Sequence, residues 1–68
     1  MKRARVKSSH LQSVGYTGTT LEVQFQSGPV YQYPGVPERV VKGLLNATSK
    51  GNYFAEHIRD RYHAKKVS

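Results

Sequence analysis

The sequence predicts an α+β fold in which a three-stranded antiparallel β-meander is followed by two α-helices packed on one face of the sheet (β-β-β-α-α). Two periodicities indicate this order. Apolar residues alternate from Leu11 to Tyr33, as in strands with one buried face, and they recur at helical spacing from Pro37 to Tyr62. A chain of 68 residues is one domain with a thin core, so the sheet needs the helices as its cover.

The first two predicted strands form a hairpin in which the apolar residues of both strands fall on the same face of the sheet. Val14 and Tyr16 alternate with small or polar residues in the first strand. Leu21 and Val23 do the same in the second strand. A two-residue loop at Gly18-Thr19 places Tyr16 opposite Leu21. It also places Val14 opposite Val23, so all four apolar side chains share one face of the sheet.

The third predicted strand covers Val30–Tyr33, and its register decides where two tyrosines point. A two-residue loop at Ser27-Gly28 leaves Tyr31 and Tyr33 on the outer face. A three-residue loop shifts the pairing by one and turns both tyrosines toward the core, because the side-chain period of a strand is two. We favour the three-residue loop, since the other register buries the Gln32 amide without partners.

Two helices are predicted after the strands. Helix one runs from Pro37 to Ala47, because proline suits the first helical position and Glu38 suits the positive end of the helix dipole. Helix two runs from Gly51 to Tyr62. Its apolar stripe consists of Phe54, Ala55, Ile58 and Tyr62.

The charge is strongly positive and unevenly distributed. Eleven Lys and Arg residues oppose four acidic residues, for a formal net charge of +7. Six of the cations fall in two segments predicted to be basic tails, a flexible one at residues 1–7 and another at residues 64–68, around a folded domain at residues 8–63. Such a charge favours a polyanionic partner. Most of it is expected to lie in the tails.

Composition and motifs disfavour several classes of function. The absence of cysteine excludes disulfides, thiolate nucleophiles and cysteine-based zinc sites, and it fits a cytoplasmic setting. No apolar run approaches the roughly 20 residues that cross a bilayer, and no signal peptide is expected. No nucleophile elbow or P-loop motif occurs. His57, Asp60 and His63 are interpreted as surface residues, because a spacing of three drifts around a helix. We therefore expect no enzymatic activity, small-molecule substrate, cofactor, metal site or membrane insertion.

A series of short motifs occurs in order along nearly the whole chain, from Val6 to Tyr62. The central motif is Tyr31-Gln32-Tyr33. The others are Ser8-Ser9, Gly15-Tyr16, Leu21, Phe25, Gly28, Gly35-Val36-Pro37, Ala47, Ser49-Lys50-Gly51, Tyr53-Phe54, Ile58-Arg59 and Tyr62. In this pattern the chain resembles the KTSC domain family, which is named for the C-terminus of some lysyl-tRNA synthetases and also occurs as stand-alone bacterial proteins. Val41 and Ala55 depart from the aromatic residue and the asparagine that the family often has there. The resemblance implies RNA binding, by association with tRNA synthetases.

Two short motifs are candidate ligand contacts, each with an ordinary structural alternative. Tyr31 and Tyr33 can stack on unpaired bases if they are exposed, but the favoured loop predicts that they pack in the core. Ser49-Lys50-Gly51 can hold an anion at a turn, although a helix cap explains Ser49 and Gly51 without a ligand.

The other candidates are cations that can contact phosphates. They are Lys42, Lys50, Arg59 and Arg61 on the predicted fold and Lys2, Arg3, Arg5 and Lys7 in the N-terminal tail. A solvated helix surface also explains the two arginines, and Arg59 can instead brace the sheet edge. We predict a non-catalytic accessory domain that binds nucleic acid, RNA more than DNA. The alternative is a protein-interaction module that docks on an acidic partner or on a larger enzyme.

Overall fold

The computed structural model describes residues 3–67 as an antiparallel β-sheet covered on one face by helices. Its elements are β1 (Ala4–Arg5), β2 (Leu11–Thr17), β3 (Thr20–Phe25), β4 (Val30–Tyr33), α1 (Glu38–Asn46), α2 (Lys50–Phe54), a π-helical segment (Ala55–Arg59) and β5 (Lys65–Lys66). The strands lie in the order β1-β2-β3-β4-β5. The predicted α+β class is confirmed, and the predicted count of three strands is corrected to five.

The two additional strands come from the basic segments near the two ends of the chain. In β1, Ala4 lies opposite Val14 of β2. In β5, Lys66 lies opposite Tyr31 of β4. A three-stranded meander leaves the outer N–H and C=O groups of β2 and β4 unpaired, and these short segments pair with them. Strands of two residues carry no periodic pattern, which is why sequence periodicity does not reveal them.

The predicted register of the first hairpin is confirmed. Tyr16 lies opposite Leu21, and Val14 lies opposite Val23. The hairpin loop contains Gly18, whose φ of +62° is a left-handed conformation that glycine adopts without strain.

The favoured register of the third strand is also confirmed. The Phe25 N–H donates to the Pro29 carbonyl over 3.0 Å, which closes a three-residue loop. Both tyrosines of β4 therefore lie on the helix-covered face, where Tyr33 is opposite Leu21. Gln32 projects from the other face of the sheet.

Both helices depart from their predicted limits: α1 is one residue shorter at each end, and the second helix begins one residue earlier and ends three residues earlier. Pro37 immediately precedes α1 instead of occupying its first position, and its carbonyl accepts a hydrogen bond from the Val40 N–H over 3.0 Å. The second helix ends at Arg59 and not at the predicted Tyr62, and its second half is π-helical. An earlier end is needed because the chain must return to the open edge of β4 within residues 60–64.

One apolar cluster joins the sheet to the helices. Its buried members are Leu11, Val14, Leu21, Val23, Tyr33, Val36, Val41, Leu44, Phe54 and Ile58. The segment between β4 and α1 is tied to the sheet by Tyr16, whose hydroxyl donates to the Val36 carbonyl over 2.6 Å. The core thus lies between the covered face of the sheet and both helices.

Candidate functional site

A groove of about 650 Å³ opens between the start of β2, the loop after β3 and helix α2. Four aromatic residues form much of its floor: Phe25, Tyr31, Tyr33 and Phe54. They pack edge to face, with ring centroids 5.7 Å apart for Phe25 and Tyr31 and 5.3 Å apart for Phe25 and Phe54. Phe25 and Tyr31 are only half-buried, so part of their ring surface remains accessible in the groove.

The rim of the groove is polar. It carries Ser9, His10, Gln26, Asn52 and Arg59. The Ser9 hydroxyl lies 3.1 Å from the His10 Nδ1 atom. The Gln26 amide nitrogen donates to two backbone carbonyls before and within β2, each over 3.2 Å, which leaves the amide oxygen as an acceptor. An apolar floor with a few polar groups at its edge is the usual composition of a binding site.

Gly51 allows the rim to close around His10. A β-carbon built on Gly51 would lie 2.6 Å from the His10 Nδ1 atom. A larger residue would therefore displace the imidazole, which packs directly against the first turn of α2. Gly51 is explained by this contact and requires no bound anion.

Arg59 places a positive charge at the helix side of the groove. Its side chain is 61% exposed, and its Nε atom lies 3.7 Å from the Asp60 Oδ1 atom, beyond hydrogen-bond distance. The nearby floor residue Tyr33 adds no charge at physiological pH, since a tyrosine hydroxyl is neutral there and burial raises the pKa of Tyr33 further above its ordinary value. Arg59 is therefore the main charged group of the groove.

A shallow basic cavity adjoins the groove on the side of β1. This basic shelf has a volume of about 440 Å³ and is lined by Arg5, Val6, Lys7, Gln12 and Gln26. Gln26 belongs to both cavities. The basic shelf and the groove are thus neighbours, with Gln26 at their common boundary.

The two candidate tyrosines have different accessibility. Tyr33 is only 3% exposed and packs edge to face on Phe54, so neither face of its ring can receive a base. Tyr31 is half-buried at the groove. A stacking role for Tyr33 is therefore ruled out by its packing, whereas Tyr31 remains a candidate.

The predicted anion-binding turn has internal partners. The Ser49 hydroxyl accepts a hydrogen bond from the Asn52 N–H over 3.4 Å, as a helix cap does. The Lys50 ammonium donates to the Ala47 carbonyl over 3.2 Å. These bonds account for the turn as a connection between helices.

Arg3 is held by side-chain contacts on the face of the sheet that the helices do not cover. Its guanidinium forms an ion pair with Glu22 and donates to the Ser13 hydroxyl over 3.0 Å. Gln32 donates to the other Glu22 oxygen over 2.8 Å. The hydrogen bond from Gln32 and the contact with Arg3 hold the pKa of Glu22 below its ordinary value despite burial. The prediction that Arg3 contacts phosphate conflicts with this pairing, and Lys2 lies outside the described residues.

The remaining predicted cations lie away from the groove. Lys42 is exposed on α1. Arg61 lines a separate cavity of about 360 Å³ with Arg39 and His57, and its Nε donates to the Glu56 carbonyl over 3.3 Å. Of the cations predicted as contacts, Arg59 lies at the groove, and Arg5 and Lys7 lie on the basic shelf.

Sequence reasoning missed the polar rim. His10, Gln26 and Asn52 stand in three separate segments, and none of them belongs to a recognisable ligand motif. The local signals nearest to the rim were the family motifs Ser8-Ser9 and Ser49-Lys50-Gly51, which the fold brings together where His10 packs against Gly51.

The described part of the chain comprises residues 3–67. Within that range, no helix is both long and apolar enough to cross a membrane. In the same range, no three His, Asp or Glu side chains are grouped closely enough to hold a metal ion.

Comparison with known proteins identifies relatives over nearly the full chain. An uncharacterized protein of Stutzerimonas stutzeri is 42% identical over 65 residues, which cover 93% of this chain and 92% of the relative. A lysine-tRNA ligase of Trichormus variabilis is 42% identical over 52 residues, which cover 76% of this chain but 9% of the ligase. The similarity to the ligase thus concerns one small part of a much larger protein.

The fold also has a close counterpart among solved structures. The crystal structure of a KTSC domain protein from Yersinia pestis superposes with a TM-score of 0.91 and 38% sequence identity, covering 98% of this chain and 97% of that one. The sequence model of the KTSC domain matches residues 7–62. The chain therefore belongs to the KTSC domain family.

Proposed function

We propose that this KTSC domain is a non-catalytic module that binds nucleic acid, RNA more than DNA. The observation that carries the proposal is the attachment of basic residues to the sheet. Arg5 lies in β1, and Lys65 and Lys66 form β5, so these cations are displayed at the two sheet edges. A net charge of +7 on so small a body attracts a polyanion.

The location of the charge favours nucleic acid over a neutral partner. Lys66 pairs with Tyr31, and directly paired residues project from the same face of a sheet. Lys66 therefore lies on the face that holds the groove, as does Arg59 at the groove's rim. Cations beside a partly accessible aromatic ring form the usual combination for single-stranded nucleic acid.

Salt-dependent binding tests the proposal. Fluorescence anisotropy with a labelled single-stranded RNA and the matching DNA, at two salt concentrations, measures affinity and its salt slope. Each phosphate contact contributes about 0.7 to the slope of log affinity against log salt on single strands. The double variant Lys65→Gln/Lys66→Gln is expected to lower the slope by about 1.4 if both lysines contact phosphates. The control Lys65→Arg/Lys66→Arg keeps both charges and should keep the slope. Absence of binding at low salt overturns the proposal.

A protein-docking role is the second candidate, favoured by the ligase comparison. A region similar to this chain is part of a lysine-tRNA ligase, of which the chain spans 9%. A domain joined to a larger enzyme can act by docking on that enzyme or on an acidic partner. Capture of a defined acidic protein that survives nuclease treatment supports this role over RNA binding. We propose a cytoplasmic location, which both roles allow and where a chain without cysteine is at no disadvantage.

A further inference from the structure

We propose that the groove receives one unpaired base of single-stranded RNA, with the flanking phosphates bound by the basic shelf on one side and by Arg59 on the other. This inference rests on the proposed function and makes it specific to single strands. It assigns roles in base recognition to Gln26 and Asn52, which lie at the rim of the groove.

The size and floor of the groove suit a planar ring. Its volume of about 650 Å³ falls within the range of about 300–1,000 Å³ that small-ligand sites occupy. Phe25 and Tyr31 are half-buried and line the floor, so they offer ring surface for stacking without leaving the core. A base inside a duplex is covered above and below by its neighbours, and only an unpaired base can turn out into such a groove.

The rim can recognise the edge of a base. Asn52 is exposed and carries both an amide donor and an amide acceptor. Gln26 has its amide nitrogen occupied by backbone carbonyls and presents its oxygen as an acceptor. Base edges combine donors and acceptors in the same way, so side-chain amides are well matched to them.

Cations near the groove can bind the phosphates of the strand that carries the base. Arg5 and Lys7 line the basic shelf at the edge of the sheet, where Arg5, which pairs with Ser13, projects from the face that the helices do not cover. The shelf meets the groove at Gln26, so a strand reaches these cations by passing around that edge. Arg59 lies on the opposite side, where its helix packs beside β4. A single strand whose base enters the groove would therefore have a cation for the phosphate on each side.

The test compares single-stranded and duplex RNA on the intact chain. Ala55 is half-buried and lines the groove, so Ala55→Trp fills the groove without changing charge. Ala64 is exposed and does not line the groove, so Ala64→Trp is the matched control. We expect Ala55→Trp to weaken binding of single-stranded RNA by about 5- to 150-fold, the loss that one stacked base implies, with the salt slope unchanged. Ala64→Trp should bind as the unmodified chain does.

A second variant keeps the inference testable if Ala55→Trp fails to fold. Asn52→Ala removes the amide from an exposed position, and it should weaken single-strand binding with little change in thermal unfolding. Two results overturn base insertion while leaving general nucleic-acid binding intact. One is equal affinity of the unmodified chain for single strands and duplexes. The other is unchanged single-strand affinity in every groove variant that folds. Failure to bind any nucleic acid at low salt overturns the proposed function itself.

Discussion

Replacing Arg3 with methionine tests whether the N-terminal segment is part of the fold. The change keeps an unbranched side chain but removes the charge that pairs with Glu22. The Glu22 side chain is 7% exposed and Arg3 is 27% exposed, so the carboxylate loses its cation in a largely dry position. It keeps the hydrogen bond of 2.8 Å from Gln32.

Two known ranges guide the expected loss of unfolding free energy. Removing one partner of a fully buried ion pair costs about 3–5 kcal/mol, and leaving a buried polar group unsatisfied costs about 1–3 kcal/mol. Water reaches Arg3 more easily than Glu22, so we expect Arg3→Met to lower the free energy of unfolding by about 2 kcal/mol. In a domain of this size each kcal/mol of unfolding free energy shifts the midpoint temperature of thermal unfolding by about 4–8 °C, so that temperature should fall by about 8–16 °C.

Thermal unfolding followed by circular dichroism at pH 7 measures this loss. The matched control is Arg5→Met, which removes one charge from an exposed position in the adjoining strand β1 and should change stability by no more than about 0.5 kcal/mol. The double variant Arg3→Met/Glu22→Gln should recover about 1 kcal/mol relative to Arg3→Met, since it removes the unpaired charge. Equal midpoints for Arg3→Met and Arg5→Met would refute the reasoning, because the segment would then contribute no specific contact.

Three further predictions concern the body of the fold. The pKa of Glu22 is lowered in the folded state, so the stability that its carboxylate contributes is complete above the unfolded pKa of about 4.3 and is lost as pH falls through the folded value. The free energy of unfolding should therefore fall less steeply with acid in Glu22→Gln than in the unmodified chain. Identical dependence on pH in the two proteins would contradict this. Leu44→Ala, at a fully buried site, should cost about 2–5 kcal/mol in denaturant unfolding, whereas the neighbouring Leu45→Ala, at a side chain 44% exposed, should cost far less; similar losses at both sites would show that the core is misassigned. Tyr16→Phe deletes the hydroxyl that donates to the Val36 carbonyl over 2.6 Å and should cost about 1 kcal/mol by the same measurement, so a variant with unchanged stability would exclude that bond as a support of the fold.

The predicted parts of the fold share one property: short-range pattern decided them. Alternation in β2 and β3, with a glycine at the loop, predicts the pairing of Tyr16 with Leu21. The cost of burying Gln32 predicts the three-residue loop before β4. The candidate site was predicted only in part: Tyr31, Arg59, Arg5 and Lys7 were predicted, whereas the uncharged rim residues His10, Gln26 and Asn52 were not.

The sequence by itself determined the fold class, the two central registers and the approximate helices, because each follows from the spacing of neighbouring residues. Only the tertiary structure decided that the basic ends join the sheet. The Arg3–Glu22 pair spans 19 positions, and β5 joins β4 after both helices. The groove likewise combines four segments that are well separated in the chain between Ser9 and Arg59. Such contacts depend on how elements pack in three dimensions. Strands of two residues, such as β1 and β5, have too short a pattern to predict which strand they pair with.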